Sequence, residues 1–326
     1  MTDLTLKMAC WETDRTRALL DGRVKPDGIA LDIERLRPRQ MFARMLENQE
    51  FDVSELSLAS LCGLIGRGDR SFIGIPVIMS KFFRHSCIYV RKGAGIAKPE
   101  DLRGKRVGTT QFSATAVVFM KGMLQHEYGV RQSEMEWFIG GLTRPTERPL
   151  IALNAPSDVR ISFLPDGDTL ERMLAEDRLD ALLSIYIPPS FLAGSAHITR
   201  LFPDYRAVER DYFNRTGIFP IMHVLAMRRS LHEAHPWIAQ NLYTAFERSK
   251  NIALNVEDLY DTDSLKIGLP WLLDYVEETR RVFGDDWWAY GIAPNRPALE
   301  AVGRYVHEQG LSPRTVIPEE VFVPCL

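Results

Sequence analysis

Apolar and polar residues alternate along 4–9 and again along 29–36, the period-2 signature of half-buried strands. Between them, 13–20 follows a helical pattern that Thr13 or Asp14 can cap. After the second strand the period changes: Met41, Phe42, Met45 and Leu46 fall on one side of a helix over 38–48. Residues 51–53 read as a short strand, 56–65 as an apolar helix and 72–78 as a buried strand. Strand and helix patterns alternate, which predicts a mostly parallel sheet with helices on its faces.

The pattern shifts at 86–90, a strand followed by the polar, glycine-bearing stretch 91–99, where the chain is expected to cross into a second lobe. A second α/β unit follows, with strands over 105–109, 135–139 and 180–185 and helices over 114–128 and 169–175. The return crossover is expected at 188–199. Beyond it lie a buried strand over 221–227 and helices over 236–255, 269–283 and 297–309, the last stopped by Gly310. The expected fold is therefore α/β and two-lobed, with two interdomain crossovers and a ligand cleft between the lobes. Residues 1–91 and 201–326 form a discontinuous lobe I that includes the C-terminal helices, and 92–200 an inserted lobe II. In open α/β sheets ligands sit beyond the carboxyl ends of the strands, where helix N-termini offer free N–H groups. That rule nominates the loops at 11–17, 54–57, 84–86, 109–115, 140–144 and 184–188.

Composition narrows the functional classes. A chain of 326 residues suits two domains, and a net charge of −3 exerts no overall pull toward nucleic acid or anionic membrane. The longest apolar runs, 73–79 and 218–227, are too short to span a bilayer. The start, MTDLTLKMAC, lacks the basic head and apolar core of a secretory leader and runs straight into a strand, so a cytoplasmic location is expected. Cys10, Cys62, Cys87 and Cys325 are scattered with no CxxC pair, which predicts free thiols rather than a disulfide framework or a metal site. Assembly into a homo-oligomer stays open.

Arg84-His85-Ser86 sets a cation fork, a titratable imidazole and a hydroxyl side by side, a set suited to an anionic substrate that must receive a proton. The competing reading is a crossover segment whose Arg pairs with a surface acid. Thr109, Thr110 and Gln111 end a strand just before a helix, an anion-accepting position, although Ser113 or Thr115 could simply cap that helix. Ser54, Glu55 and Ser57 sit at a strand-to-helix turn, where capping accounts for the serines but not for Glu55. His223 interrupts an apolar strand and, taken alone, reads as a satisfied core residue. Glu12, Arg15 and Arg17 follow the first strand as ligand anchors or as solvated helix charges, and Gly141 and Tyr186 close two of the nominated loops. His232 and His235 are three apart rather than the four of a metalloprotease helix, so no metal is expected.

Nine segments carry a wider likeness: FDVSELS (51–57), FRHSCIYV (83–90), PEDLRGKRVG (99–108), LQHEYGV (124–130), WFIGGL (137–142), LFPD (201–204), TGIFPIMH (216–223), YGIAPNR (290–296) and QGLSPR (309–314). In order along nearly the whole chain, they resemble the 4,5-dihydroxyphthalate decarboxylase family, whose fold is that of type II periplasmic binding proteins. The resemblance implies cofactor-independent decarboxylation of a hydroxylated aromatic carboxylate, most simply 4,5-dihydroxyphthalate to protocatechuate and CO2. Such chemistry needs a cationic anchor, an acid aimed at the ring carbon and an acceptor for the phenolic proton. On that reading Arg84 with Arg15 or Arg17 is the anchor, His85 or His223 the acid, and Glu55 or Glu12 the acceptor. Ser54, Ser57, Ser86, Thr109, Thr110, Gln111, Gly141 and Tyr186 complete the substrate contacts. The rival classes are a non-catalytic solute-binding protein and a ligand-sensing module, the latter without any visible DNA-binding helix pair.

Overall fold

The first lobe begins with β1 (Leu4–Cys10), α1 (Asp14–Leu20), β2 (Ile29–Arg35), α2 (Pro38–Asn48), β3 (Val53–Ser57), α3 (Leu58–Gly66) and β4 (Phe72–Lys81). The chain then builds a second lobe from β5 (Ile88–Arg91), β6 (Arg106–Thr109), α4 (Thr115–Tyr128), β7 (Glu136–Ile139), β8 (Arg160–Phe163), α5 (Leu170–Ala175), β9 (Ala181–Leu183), α6 (Pro189–Leu192) and β10 (Ile198–Arg200). It returns through α7 (Tyr205–Thr216), β11 (Ile221–Arg228), α8 (Arg229–Ala234), α9 (Trp237–Ala253), α10 (Leu272–Phe283), α11 (Arg296–Glu308) and α12 (Pro318–Val321). The computed structural model describes residues 3–144, 155–255 and 267–325; the expected lobe II span includes 145–154, which lie outside them.

Each lobe has one sheet, in the orders β2-β1-β3-β11-β4 and β10-β5-β9-β6-β7-β8. Most strands of each sheet run the same way, as expected, and one strand in each is reversed. β1 runs parallel to β2 and β3, but β11 lies antiparallel between β3 and β4 because it enters the sheet from the opposite end after the excursion through lobe II. In the second sheet β6, β7, β8, β9 and β10 run the same way, and β5 lies antiparallel between β9 and β10. The pairing also moves the expected boundaries. β5 bonds to β9 and β10, so the crossover lies before Ile88, not at 91–92. The stretch 188–199, expected to be the return, instead holds α6 and most of β10, and the chain leaves lobe II after Arg200.

Local chemistry accounts for the elements that frame the cleft. α2 starts on Pro38, whose missing N–H costs nothing at the first helical position, and buries Met41, Phe42 and Met45. α4 stops at Gly129, which takes the left-handed conformation (φ 66°) that closes a helix. On the same helix Gly122 meets the Tyr305 ring, where a Cβ would come within 2.3 Å, so a side chain there would push α11 off. The outer edge of β4 is sealed by the C-terminal tail, whose Val323 N–H donates to Gly74 O at 2.9 Å.

Candidate functional site

β3 is buried along its whole length, so a carboxylate on it must find partners or cost several kcal/mol. Glu55 finds two. Trp11 N–H donates to its Oε2 at 3.0 Å, and His223 Nδ1 lies 2.7 Å from its Oε1. A carboxylate only accepts, so Nδ1 carries the proton of that bond and Nε2 is the ring nitrogen left for a ligand. His223 reaches Glu55 because β11 packs beside β3 with His223 opposite Ser57, and the β11–β4 pairing shifts register on either side of it. Phe42 packs edge-on against the imidazole at 4.9 Å. The side chain of His223 stays 22% exposed, against 4% for Glu55.

The imidazole opens onto a cleft of about 1010 Å³ walled by both lobes. Lobe I contributes Trp11, Arg37, Arg39, Phe42, Ser57, Ser60, Arg84, Met222 and His223; lobe II contributes the 110–116 stretch, Ile139, Ile185 and Tyr186. The walls are apolar enough for an aromatic ring, with polar groups at a few points. Arg84 is the cation nearest in sequence to the crossover. Its Nε lies 3.3 Å from Met222 Sδ and its Nη1 3.7 Å from Cys87 Sγ. Among the described residues no carboxylate comes within ion-pair distance of it, and burial pulls its pKa below the usual value. A half-buried guanidinium held by sulfurs rather than by an acid is poised for an anionic ligand.

Three hydroxyls join the lobes on the cleft wall. Ser60 Oγ donates to Ser57 Oγ at 3.0 Å, Ser57 Oγ and Thr115 Oγ1 are 2.9 Å apart, and Ala59 N–H donates to Thr115 Oγ1 at 3.1 Å. Thr115 is thus the first residue of α4 rather than its cap, a place taken by Ala114 without a side-chain bond. Thr110 adds a buried Oγ1 with no partner among the described residues.

Of the residues expected at the site, Ser57, Arg84, Thr110, Gln111, Tyr186 and His223 line the cleft, with Glu55 directly behind. The others do not reach it. His85 is 1% exposed, edge-on to Phe202 and Tyr212, and burial helped by the Arg215 charge pushes its pKa down to about 4. Glu12 is taken by Arg35 (2.9 Å) and Arg17 (3.5 Å) on the surface. Arg15 stacks on Trp288 at 3.9 Å and pairs with Asp14 at 2.7 Å, held there by the C-terminal part of lobe I. Ser54 is buried and donates to the Glu55 carbonyl at 2.9 Å. Ser86 turns toward Glu209, which accepts its N–H at 3.3 Å. Thr109 is buried behind the strand end, and Gly141 uses its carbonyl to accept from Leu170 N–H at 3.0 Å.

Sequence reasoning left out Trp11 as a wall, the Arg37–Phe42 stretch, Ser60 and Met222. The stripe on α2 was visible, but Phe42 belongs to both the core and the cleft, and only the position of α2 reveals its second face. Among the described residues no group of three or more His, Cys, Asp or Glu side chains is arranged to hold a metal, and no helix is long and apolar enough to cross a membrane.

No family model matches the chain. It is 37% identical over 324 residues to the 4,5-dihydroxyphthalate decarboxylase of Comamonas testosteroni, covering 99% of this chain and 98% of that protein. It is 32% identical over 213 residues to the 4,5-dihydroxyphthalate decarboxylase of Pseudomonas putida, covering 65% of this chain and 83% of that protein. Among solved structures, the periplasmic sulfonate-binding protein of a sulfonate ABC transporter from Methylobacillus flagellatus matches with a TM-score of 0.55 at 13% identity, covering 99% of this chain and 93% of that one. The ligand-binding component of an ABC-type import system from Staphylococcus aureus matches with a TM-score of 0.50 at 11% identity, covering 99% of this chain and 97% of that one. The fold is that of the periplasmic binding proteins, as the resemblance implied.

Proposed function

The chain belongs to the 4,5-dihydroxyphthalate decarboxylase family, and from that premise we propose that it converts 4,5-dihydroxyphthalate to protocatechuate and CO2 with His223 as the proton donor. The observation that carries the assignment of the acid is the 2.7 Å bond between His223 and buried Glu55 on the wall of the interlobe cleft. The carboxylate stabilises the imidazolium and fixes its orientation, leaving Nε2–H to face the ring. Each carboxylate-bearing carbon of the substrate has a hydroxyl para to it. Electron density from that hydroxyl moves onto the carbon, which takes the proton from Nε2. The bond to the carboxylate then breaks, its electron pair restores the aromatic ring, and CO2 leaves. One proton is consumed for each CO2 released, and His223 regains it from solvent. The ring with its hydroxyl serves as the electron sink, so the reading requires no cofactor.

Arg84 is the proposed anchor for the carboxylate that stays. The apolar faces of Phe42, Phe112 and Ile185 hold the ring. Four free cysteines, three of them buried, fit a reducing compartment, and the cytoplasm is the proposed location. The test is to incubate the purified protein with 4,5-dihydroxyphthalate, with and without a chelator, and to follow CO2 and protocatechuate. Turnover that survives the chelator supports the reading. Ligand-induced stabilisation without product favours a solute-binding role, a reading that the fold shared with the sulfonate-binding protein keeps in view.

A further inference from the structure

4,5-Dihydroxyphthalate is symmetric: its two carboxylates are equivalent, so the substrate does not decide which one is lost. The protein must. Two of the polar groups that line the cleft differ in chemistry. One is the guanidinium of Arg84, a full charge with sulfur neighbours. The other follows from counting protons in the hydroxyl chain. Ser57 Oγ accepts from Ser60 N–H at 3.4 Å and from Ser60 Oγ–H at 3.0 Å, so its own proton goes to Thr115 Oγ1. Thr115 Oγ1 also accepts from Ala59 N–H. Both of its acceptor positions are then filled, and its proton has no acceptor among the described residues. Thr115 is 3% exposed and lines the cleft, so that donor has only a ligand to serve. Its hydroxyl is tethered to the sheet that carries the acid. Ser57, its hydrogen-bond partner, lies opposite His223 in the β3–β11 pairing.

We infer that Thr115 is the residue that holds the departing carboxylate of the substrate, through a neutral O–H donor beside the carbon that His223 protonates. The inference rests on the proposed decarboxylation. Its physical content is a division of labour. A cation on the departing group would stabilise the charge that the reaction must disperse, whereas a neutral hydroxyl orients the group and holds it weakly. The carboxylate placed on Arg84 is retained, and the one placed on Thr115 leaves as CO2.

The experiment compares kcat for 4,5-dihydroxyphthalate with the competitive inhibition constant of protocatechuate, which lacks the departing carboxylate, in wild type, Thr115→Val and Thr115→Ser. Loss of one hydrogen bond to a carboxylate predicts a fall in kcat of about 10- to 100-fold for Thr115→Val. Protocatechuate inhibition should stay within about two-fold of wild type, because the product no longer carries the group that Thr115 holds. Thr115→Ser should keep most of the activity. Arg84→Gln should instead weaken protocatechuate, since it removes the anchor of the part that remains. If Thr115→Val weakens protocatechuate as much as it slows turnover, or changes neither, the inference is overturned. Should Thr115→Val fail to fold by circular dichroism, Thr115→Cys, a weaker donor of similar size, must show the same split. Absence of turnover by the wild type overturns the assigned reaction, and this inference with it.

Discussion

Two histidines stand on apolar segments of this chain, each with aromatic neighbours and an acid nearby, and only one lies at the cleft. At the cleft wall, His223 bonds to Glu55 at 2.7 Å and keeps 22% of its side chain exposed. At the crossover between the lobes, His85 lies 3.9 Å from Glu209, is 1% exposed, and has no hydrogen-bond partner among the described residues at either ring nitrogen. Burial holds His85 neutral, with a pKa of about 4, and raises Glu209 to about 7. The difference teaches that an acid close to an imidazole is not enough. A proton donor needs its partner at bonding distance on one nitrogen and an opening at the other. Without them burial wins, and the charged form of both groups is disfavoured.

The largest effect expected from this contrast is at the cleft. His223→Gln should lower kcat by about 10²–10⁴-fold while binding changes far less, read from CO2 release and protocatechuate inhibition. The crossover should answer in stability instead. His85 binds its proton less readily when folded (about 4) than its usual 6.5, so its contribution is complete above 6.5 and lost as pH falls toward 4. Glu209 binds its proton more readily when folded (about 7) than its usual 4.5, so its contribution is complete below 4.5 and lost as pH rises toward 7. Each amounts to about 3 kcal/mol, with opposite slopes over nearly the same range. His85→Phe should therefore make Tm fall more steeply as pH rises from 4.5 to 6.5, and Glu209→Gln should make it rise more steeply. Thermal unfolding at several pH values decides; a slope that moves the other way in either variant breaks the contrast.

A smaller effect returns to the cleft. Glu55→Gln removes a hydrogen bond to a charged group, worth about 1.5–3 kcal/mol, or about 10- to 100-fold in kcat. Turnover of Glu55→Gln within about two-fold of wild type would remove Glu55 from the support of the proton donor. The smallest effect sharpens the contrast from the other side. His85→Phe, assayed where it is folded, should turn over within about two-fold of wild type, since no atom of His85 faces the cleft.

Much of the architecture was legible because it depends on local periodicity. The alternation in Leu4–Cys10 and the Met41, Phe42, Met45 stripe required no tertiary context. α7 escaped because only Tyr212 of its twelve residues is buried, which leaves no apolar stripe, and β8 because it is four residues long and mostly exposed. The site was harder to read. His223 looked like a satisfied core residue, and by its hydrogen bond it is satisfied; what the pattern could not carry is that its partner lies 168 positions earlier and that its other side opens on the cleft. Arg15 follows a strand end in the right loop, yet Trp288, from the far end of the chain, takes its guanidinium. Pairs this distant in sequence leave no trace in local spacing.

The insertion of β11 between β3 and β4 also sets a timetable. Every described strand of the second lobe leaves the ribosome before residue 221, so that lobe can close while the first sheet is still split. Until β11 arrives, β3 and β4 each present an open edge to the nascent chain's surroundings, the kind of edge that recruits chaperones or neighbouring polypeptides. The strand that seals the gap is the one that carries His223 to Glu55. Closure of the sheet and assembly of the proton donor are thus one event, and a polypeptide released early would be unable to perform the chemistry however well its inserted lobe had folded.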